Sequence, residues 1–189
     1  IVGGGEKIAE KLINLCDFLL IEADGARMHP LKVPANYEPV ILKNTTMVVG
    51  VAGIDSLFKS INKICHRPEQ VCKILSKNYN HKINTKDIAN ILGSKEGQRK
   101  NVKDCFNAKY RAIINKVDND ELLIYAKEIC KYLYENNINV PKDISIIGFN
   151  DLIACQYTIP PLSTIRVHIE HLAIVSVELI IENISKARR

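Results

Sequence analysis

The feature that most limits how this chain can fold is a series of short apolar runs: FLLI at 18–21, TMVVGVAG at 46–53, AII at 112–114 and SIIGF at 145–149. Each run is strand-sized, and the stretches between them carry helical periodicity or turn residues. Ile8, Leu12, Ile13 and Leu15 lie on one helical face ahead of the run Phe18 to Ile21, which reads as a buried strand. PEQVCKILSKNY begins with proline at a helix start, Thr85 stands as the cap of KDIANILG, and NDELLIYAKEICKYLYEN spans about four turns. Pro30, Pro34 and Pro39 make 25–45 an ordered loop or surface crossing, and SKEGQRKN at 94–101 is a polar loop. Strands alternating with helices give the α/β class, with a mostly parallel sheet flanked by helices. Past Asn136 the reading continues with a strand in VPKDISIIGFND, a strand in STIRVH and a helix in IEHLAIVSVELIIENI.

Composition narrows the class of function. The 47% hydrophobic and 25% charged content is that of a globular chain able to bury a core. A formal charge of +5 is spread along the chain, with no basic stripe interleaved with aromatics, so the bases read as solvated surface. The six cysteines form no C-x-x-C pair, and neither a secretory signal nor a long apolar span accompanies them; the expected location is the cytoplasm, with reduced thiols. Cys65, Cys72 and the adjacent His66 fit either metal ligation or buried apolar thiols. The chain opens on Ile1, where an initiator methionine would not be removed, so further sequence upstream is expected.

Two motifs carry chemistry. FLLIEADG delivers Glu22, Asp24 and Gly25 to the carboxyl end of its run, the place where open α/β sheets bind ligands; carboxylates there can hold Mg²⁺, or Asp24 and Gly25 can simply make a turn. Asn115, Lys116 and Asp118 form N-K-x-D after Ile113 and Ile114. That spacing suits guanine, the carboxylate accepting from the ring nitrogen and exocyclic amine, and it equally suits a polar turn after a strand.

Together these elements resemble the metallochaperone GTPases that load nickel enzymes. The wider series IEADGARMHPLKVPANYEPVI, TTMVVGVAGIDSLFKSI, HRPE and NKVD is similar to the YqeC family, over about residues 10–130. Members of that family are described as selenium-dependent hydroxylase accessory proteins. The resemblance implies a P-loop NTPase-like domain at 1–132, GTP or ATP with Mg²⁺ as cofactor, and a selenium-dependent molybdenum hydroxylase as client. It puts Glu22 and Asp24 at the metal and phosphate end with Gly25, and Asn115, Lys116 and Asp118 at the base. Lys32, His66 and Arg67 fall in its PLKVP and HRPE segments, where they fit an anion or substrate contact as well as a capping or surface role. IVGGGEK departs from the G-x-x-x-x-G-K-[ST] phosphate loop, so nucleotide binding is expected to be weak or absent and hydrolysis impaired.

VPKDISIIGFND followed by PPLSTI resembles instead the carboxyl end of the LacI/GalR sugar-responsive regulators, over about 133–189. That likeness implies a periplasmic-binding-protein-like fragment with a sugar effector near Asn150 and Asp151, where asparagine keeps an acceptor but loses a charge. It also implies an oligomer surface on the last strand and helix, and no DNA binding, because the headpiece is absent from this sequence. The helix ELLIYAKEICKYLYENN satisfies both families, which points to a fused frame. The second piece would then add two strands and a helix to the edge of the first piece's sheet. Three functions stay open at this point: a maturation accessory, a ligand-sensing remnant of a regulator, and a fusion with no activity.

Overall fold

The computed structural model describes residues 6–102, 108–136, 138, 146–149, 163–166 and 168–187. Its elements in chain order are α1 (Glu6–Ile13), β1 (Leu31–Lys32), β2 (Met47–Gly53), a 3-10 turn (Ile54–Ser56), α2 (Ile61–Ile64), β3 (Cys65–His66), α3 (Pro68–Leu75) and α4 (Thr85–Gly93). They continue with β4 (Lys109–Asn115), α5 (Asp120–Glu135), β5 (Ile146–Phe149), β6 (Ser163–Ile165) and α6 (Ile169–Ala187). The strands form a four-stranded sheet in the order β2-β4-β5-β6 and a two-stranded sheet of β1 and β3. All these pairings are parallel. The α/β class read from the sequence is the class observed, and β5 and β6 continue the sheet beyond β4.

The register fixes which ends of the strands meet. Met47 lies opposite Lys109 and Gly53 opposite Asn115, so β2 and β4 finish level. Tyr110, Ala112 and Ile114 of β4 alternate inward and are buried, as period-two geometry requires. Against that face pack α4 and α5. Asn84 accepts from the Asp87 amide while the Asp87 carboxylate accepts from the Asn84 amide, a reciprocal cap that starts α4 one residue earlier than the Thr85 expected from sequence. In α5, Asn119 caps the Leu122 amide and Leu123, Ala126, Ile129 and Leu133 make the buried stripe. The two helices meet closely at their ends: a Cβ on Gly93 would sit 3.1 Å from Leu133 Cδ2 and 2.5 Å from Ile138 Cδ1, so a larger residue would have to displace those side-chain tips.

One strand expected from the sequence is not there. Residues 14–30 have no regular secondary structure, with Phe18 88% and Leu20 94% exposed. A parallel strand is stabilised by ladder partners on its flanks and by helices over both faces. The 18–21 run has neither; its neighbourhood closes through local bonds such as Val40 N to Ala23 O, at 3.2 Å. Met47, Val49 and Val51, on the outward face of β2, are correspondingly about half exposed. The proline-rich loop, by contrast, runs inside: Leu31, Lys32, Val33 and Ala35 are buried, and Leu31–Lys32 pairs with Cys65–His66. Among the described residues no helix is long and apolar enough to cross a membrane.

Candidate functional site

β2 and β4 bring their carboxyl ends together at Gly53, where the segment entering β1 joins them. The Gly53 amide donates to Pro30 O at 2.7 Å, just before β1, and Gly53 is the register partner of Asn115 at the end of β4. The approach leaves no room for a side chain, since a Cβ on Gly53 would meet Asp55 Oδ1 and lie 2.9 Å from Pro30 Cβ. Two groups of polar residues flank this point.

The first is organised by Lys32, whose side chain is only 5% exposed. Its ammonium donates to Asp24, to Gly25 O at 2.7 Å and to Glu38 Oε2 at 3.0 Å. Glu38 in turn receives the Arg67 guanidinium through both carboxylate oxygens, and Arg67 also reaches Tyr37 Oη at 3.1 Å with its charge over the Tyr37 ring. Arg67 holds a left-handed φ of 55° just before Pro68. Its side chain is thereby tied to the loop 29 residues earlier in the chain. His66 lies beside Lys32 in the β1–β3 register and its ring is 6.0 Å from that of His29. Burial, then the positive charges of Lys32, Arg67 and Arg27, lowers the His66 pKa, which keeps the imidazole neutral near pH 7. Gln98 and Lys100 of the 94–101 loop close the group from outside, donating to Val51 O at 2.9 Å and Ala35 O at 2.6 Å.

The second group is the NKVD turn. Asn115 Oδ1 accepts from the Lys116 amide at 2.8 Å, folding the side chain back on its own turn, and Lys116 takes a left-handed φ of 64°. The Lys116 ammonium reaches Asp55 Oδ2 at 2.8 Å, across to the end of β2. The other Asp55 oxygen is buried and accepts no hydrogen bond among the described residues. Asp118 is exposed.

The expected residues therefore stand as follows. Asp24, Gly25, Lys32, His66 and Arg67 come together, with Glu22 exposed at their margin; Asn115, Lys116 and Asp118 occupy the facing strand end. Asn150 and Asp151 lie outside the described residues. Glu38, Asp55 and Gln98 were missed by sequence reading; the EPVI segment quoted for the family resemblance contained Glu38, but nothing local marked its partners. Of the two carboxylates expected at a Mg²⁺, Asp24 is engaged by the Lys32 ammonium and Glu22 is exposed, and the described residues contain no cluster of three or more His, Cys, Asp or Glu side chains able to hold a metal. Cys65 is buried, burial pushes its thiol up to about 12 and Cys72 is also raised, as the buried apolar thiol reading expects.

The ion pairs make stability depend on acid. Burial pushes the Glu38 carboxyl up, but the hydrogen bonds from Arg67 and Lys32 outweigh it and bring it from 4.5 to about 2. A depressed carboxylate contributes stability that is complete above its unfolded value and is lost as pH falls through the folded one. The melting midpoint is therefore expected to fall between about pH 4.5 and about pH 2 in the native protein and to fall less in Glu38→Gln, compared by circular dichroism at each pH; parallel curves would remove Glu38 from this account.

Comparison with known proteins accounts for both halves of the chain. Residues 2–69 match the family described as YqeC protein, and residues 95–189 match the periplasmic binding protein-like domain. The uncharacterized protein YqeC of Escherichia coli K12 is 30% identical over 125 residues, 65% of this chain and 48% of that protein. The HTH-type transcriptional regulator AscG of the same organism is 37% identical over 60 residues, 32% of this chain and 16% of its own. The lactose operon repressor of Rhizobium radiobacter is 36% identical over 53 residues, 28% and 47% respectively. The chain thus spans less than half the length of each of these relatives. No solved structure matches. Because 125 residues cannot be fitted ahead of residue 95, the likeness to YqeC runs into the region shared with the second family. Through residues 95–189 the chain belongs to the periplasmic binding protein-like family, and ahead of that region residues 2–69 are similar to the YqeC protein family.

Proposed function

We propose that the chain is a YqeC-type accessory module that binds a purine nucleotide weakly at the carboxyl ends of β2 and β4, beside the loop that enters β1, and does not hydrolyse it. The observation that carries this reading is the convergence on Gly53: strand ends meet there with the NKVD turn on one side and the Asp24–Gly25 backbone fastened by Lys32 on the other. Open parallel sheets bind ligands at such strand ends. Asp118 would accept from a guanine ring, and the stem of Lys116 would lie over the base once its ammonium left Asp55. No phosphoryl-transfer step is assigned, because Lys32 is spent on carboxylates and Asp24 is spent on Lys32. By likeness to its family the module would assist maturation of a selenium-dependent molybdenum hydroxylase in the cytoplasm.

A second reading, a ligand-sensing and dimerising remnant of a sugar-responsive regulator, is favoured by the identity to AscG and the lactose operon repressor. Calorimetric titration with GTP·Mg²⁺, ATP·Mg²⁺ and a sugar panel separates the two. Heat with GTP alone, reduced at least tenfold in affinity by Asp118→Ala, is the expected result. Heat with a sugar alone, lost in Asp151→Ala, would establish the second reading, and silence throughout would overturn both.

A further inference from the structure

A cleft of about 310 Å³ opens between the turn after the 3-10 helix, the start of α4 and the middle of α5, and shares no residue with the site above. Phe58, Tyr125 and Tyr132 supply its aromatic walls; Asn84, Lys86 and Glu128 line its polar edge. Phe58 is the unusual member. It holds φ at 63°, a left-handed conformation that bulky side chains disfavour, yet its ring is 55% exposed. The strain is fixed by the backbone: the Phe58 amide donates to Ile83 O at 2.8 Å and the Ile83 amide returns to Lys59 O at 3.0 Å. Glycine would satisfy both bonds without strain, so packing does not explain an aromatic ring left half in water. Strain of this kind collects at binding sites.

The remaining geometry indicates what the ring meets. Phe58 stands edge-on to Tyr125, centroids 5.3 Å apart at 73°, and both rings line the cleft. The Lys86 ammonium hovers 5.2 Å over the Tyr132 ring and forms no ion pair among the described residues. Glu128, the one carboxylate of the lining, accepts from Tyr132 Oη at 3.2 Å. Lys86 is the one cation of the lining, and the amino end of α4 beside it adds a positive field. A dianion would have one lysine in the lining and would face Glu128; a monoanion suits the balance better.

We propose that this cleft binds a planar aromatic carboxylate, its ring against Phe58 and Tyr132 and its carboxylate at Lys86. The full chain titrated with 2-naphthoate, 2-naphthylmethylammonium and cyclohexanecarboxylate, followed by saturation-transfer NMR, tests it. The naphthoate is expected to bind at least tenfold tighter than either of the others. Lys86→Glu should weaken naphthoate about tenfold and favour the ammonium probe. Phe58→Gly should weaken it as much while leaving the melting midpoint unchanged or higher, a combination that a packing role would not give. Equal affinity for the three probes would overturn the proposal, as would a Phe58→Gly protein that melts lower but binds naphthoate unchanged.

Discussion

Lys32→Met is expected to destabilise the protein by about 3–5 kcal/mol, the range for removing one partner of a buried ion pair. Methionine follows the lysine stem closely, so the loss is of charge rather than volume. The charge matters because the groups around it are also out of water: Asp24 is 16% and Glu38 14% exposed. Glu38 would keep Arg67, while Asp24 and Gly25 O would lose their donor together. Against a total stability of roughly 5–15 kcal/mol, such a change moves a urea midpoint by an amount that no surface lysine matches. Lys63→Met, at an exposed position, is the control. A loss under about 1 kcal/mol for Lys32→Met would mean that the ammonium is solvated and the network weak.

Leu133→Ala should cost about 2–5 kcal/mol through the cavity it leaves. Leu133 is fully buried in the last turn of α5, against the end of α4 at Gly93, and its carbonyl accepts from the Ile138 amide at 3.0 Å as the chain leaves the helix. One residue thus couples the helix pair under β2 and β4 to the segment that leads to β5. Hydrogen exchange in the variant should accelerate in the β2–β4 rungs and in the Ile113–Ile147 rung alike. Faster exchange confined to β5 and β6 would show two separately folding parts and a seam that transmits nothing.

Much of this architecture is legible in the chain because its signals are local. β2 and β4 are apolar runs ended by glycine or asparagine, and α5 has its cap, its first-turn acids and its stripe within sixteen residues. β1 and β3 are invisible for the opposite reason: two residues have no period, and only their pairing defines them. FLLI misleads because an apolar run records a preference for burial without recording whether a sheet edge is there to receive it. The site divides in the same way. Lys116 and Arg67 were found through neighbours in sequence, while their partners were not, since Asp55 lies 61 residues from Lys116 and Glu38 lies 29 from Arg67. Charge pairing at that range is decided by the fold.

The shared middle of the chain also bears on how proteins of this class can be recombined. β4 and the start of α5 lie in a region reached by the likeness to YqeC and by the periplasmic binding protein-like match. A crossover placed there inherits a strand already in register and a helix already capped, so neither parent has to supply a new turn. Chimaeras of α/β proteins built by exchange inside a sheet-facing helix, rather than in the loops between elements, should retain cooperative folding more often.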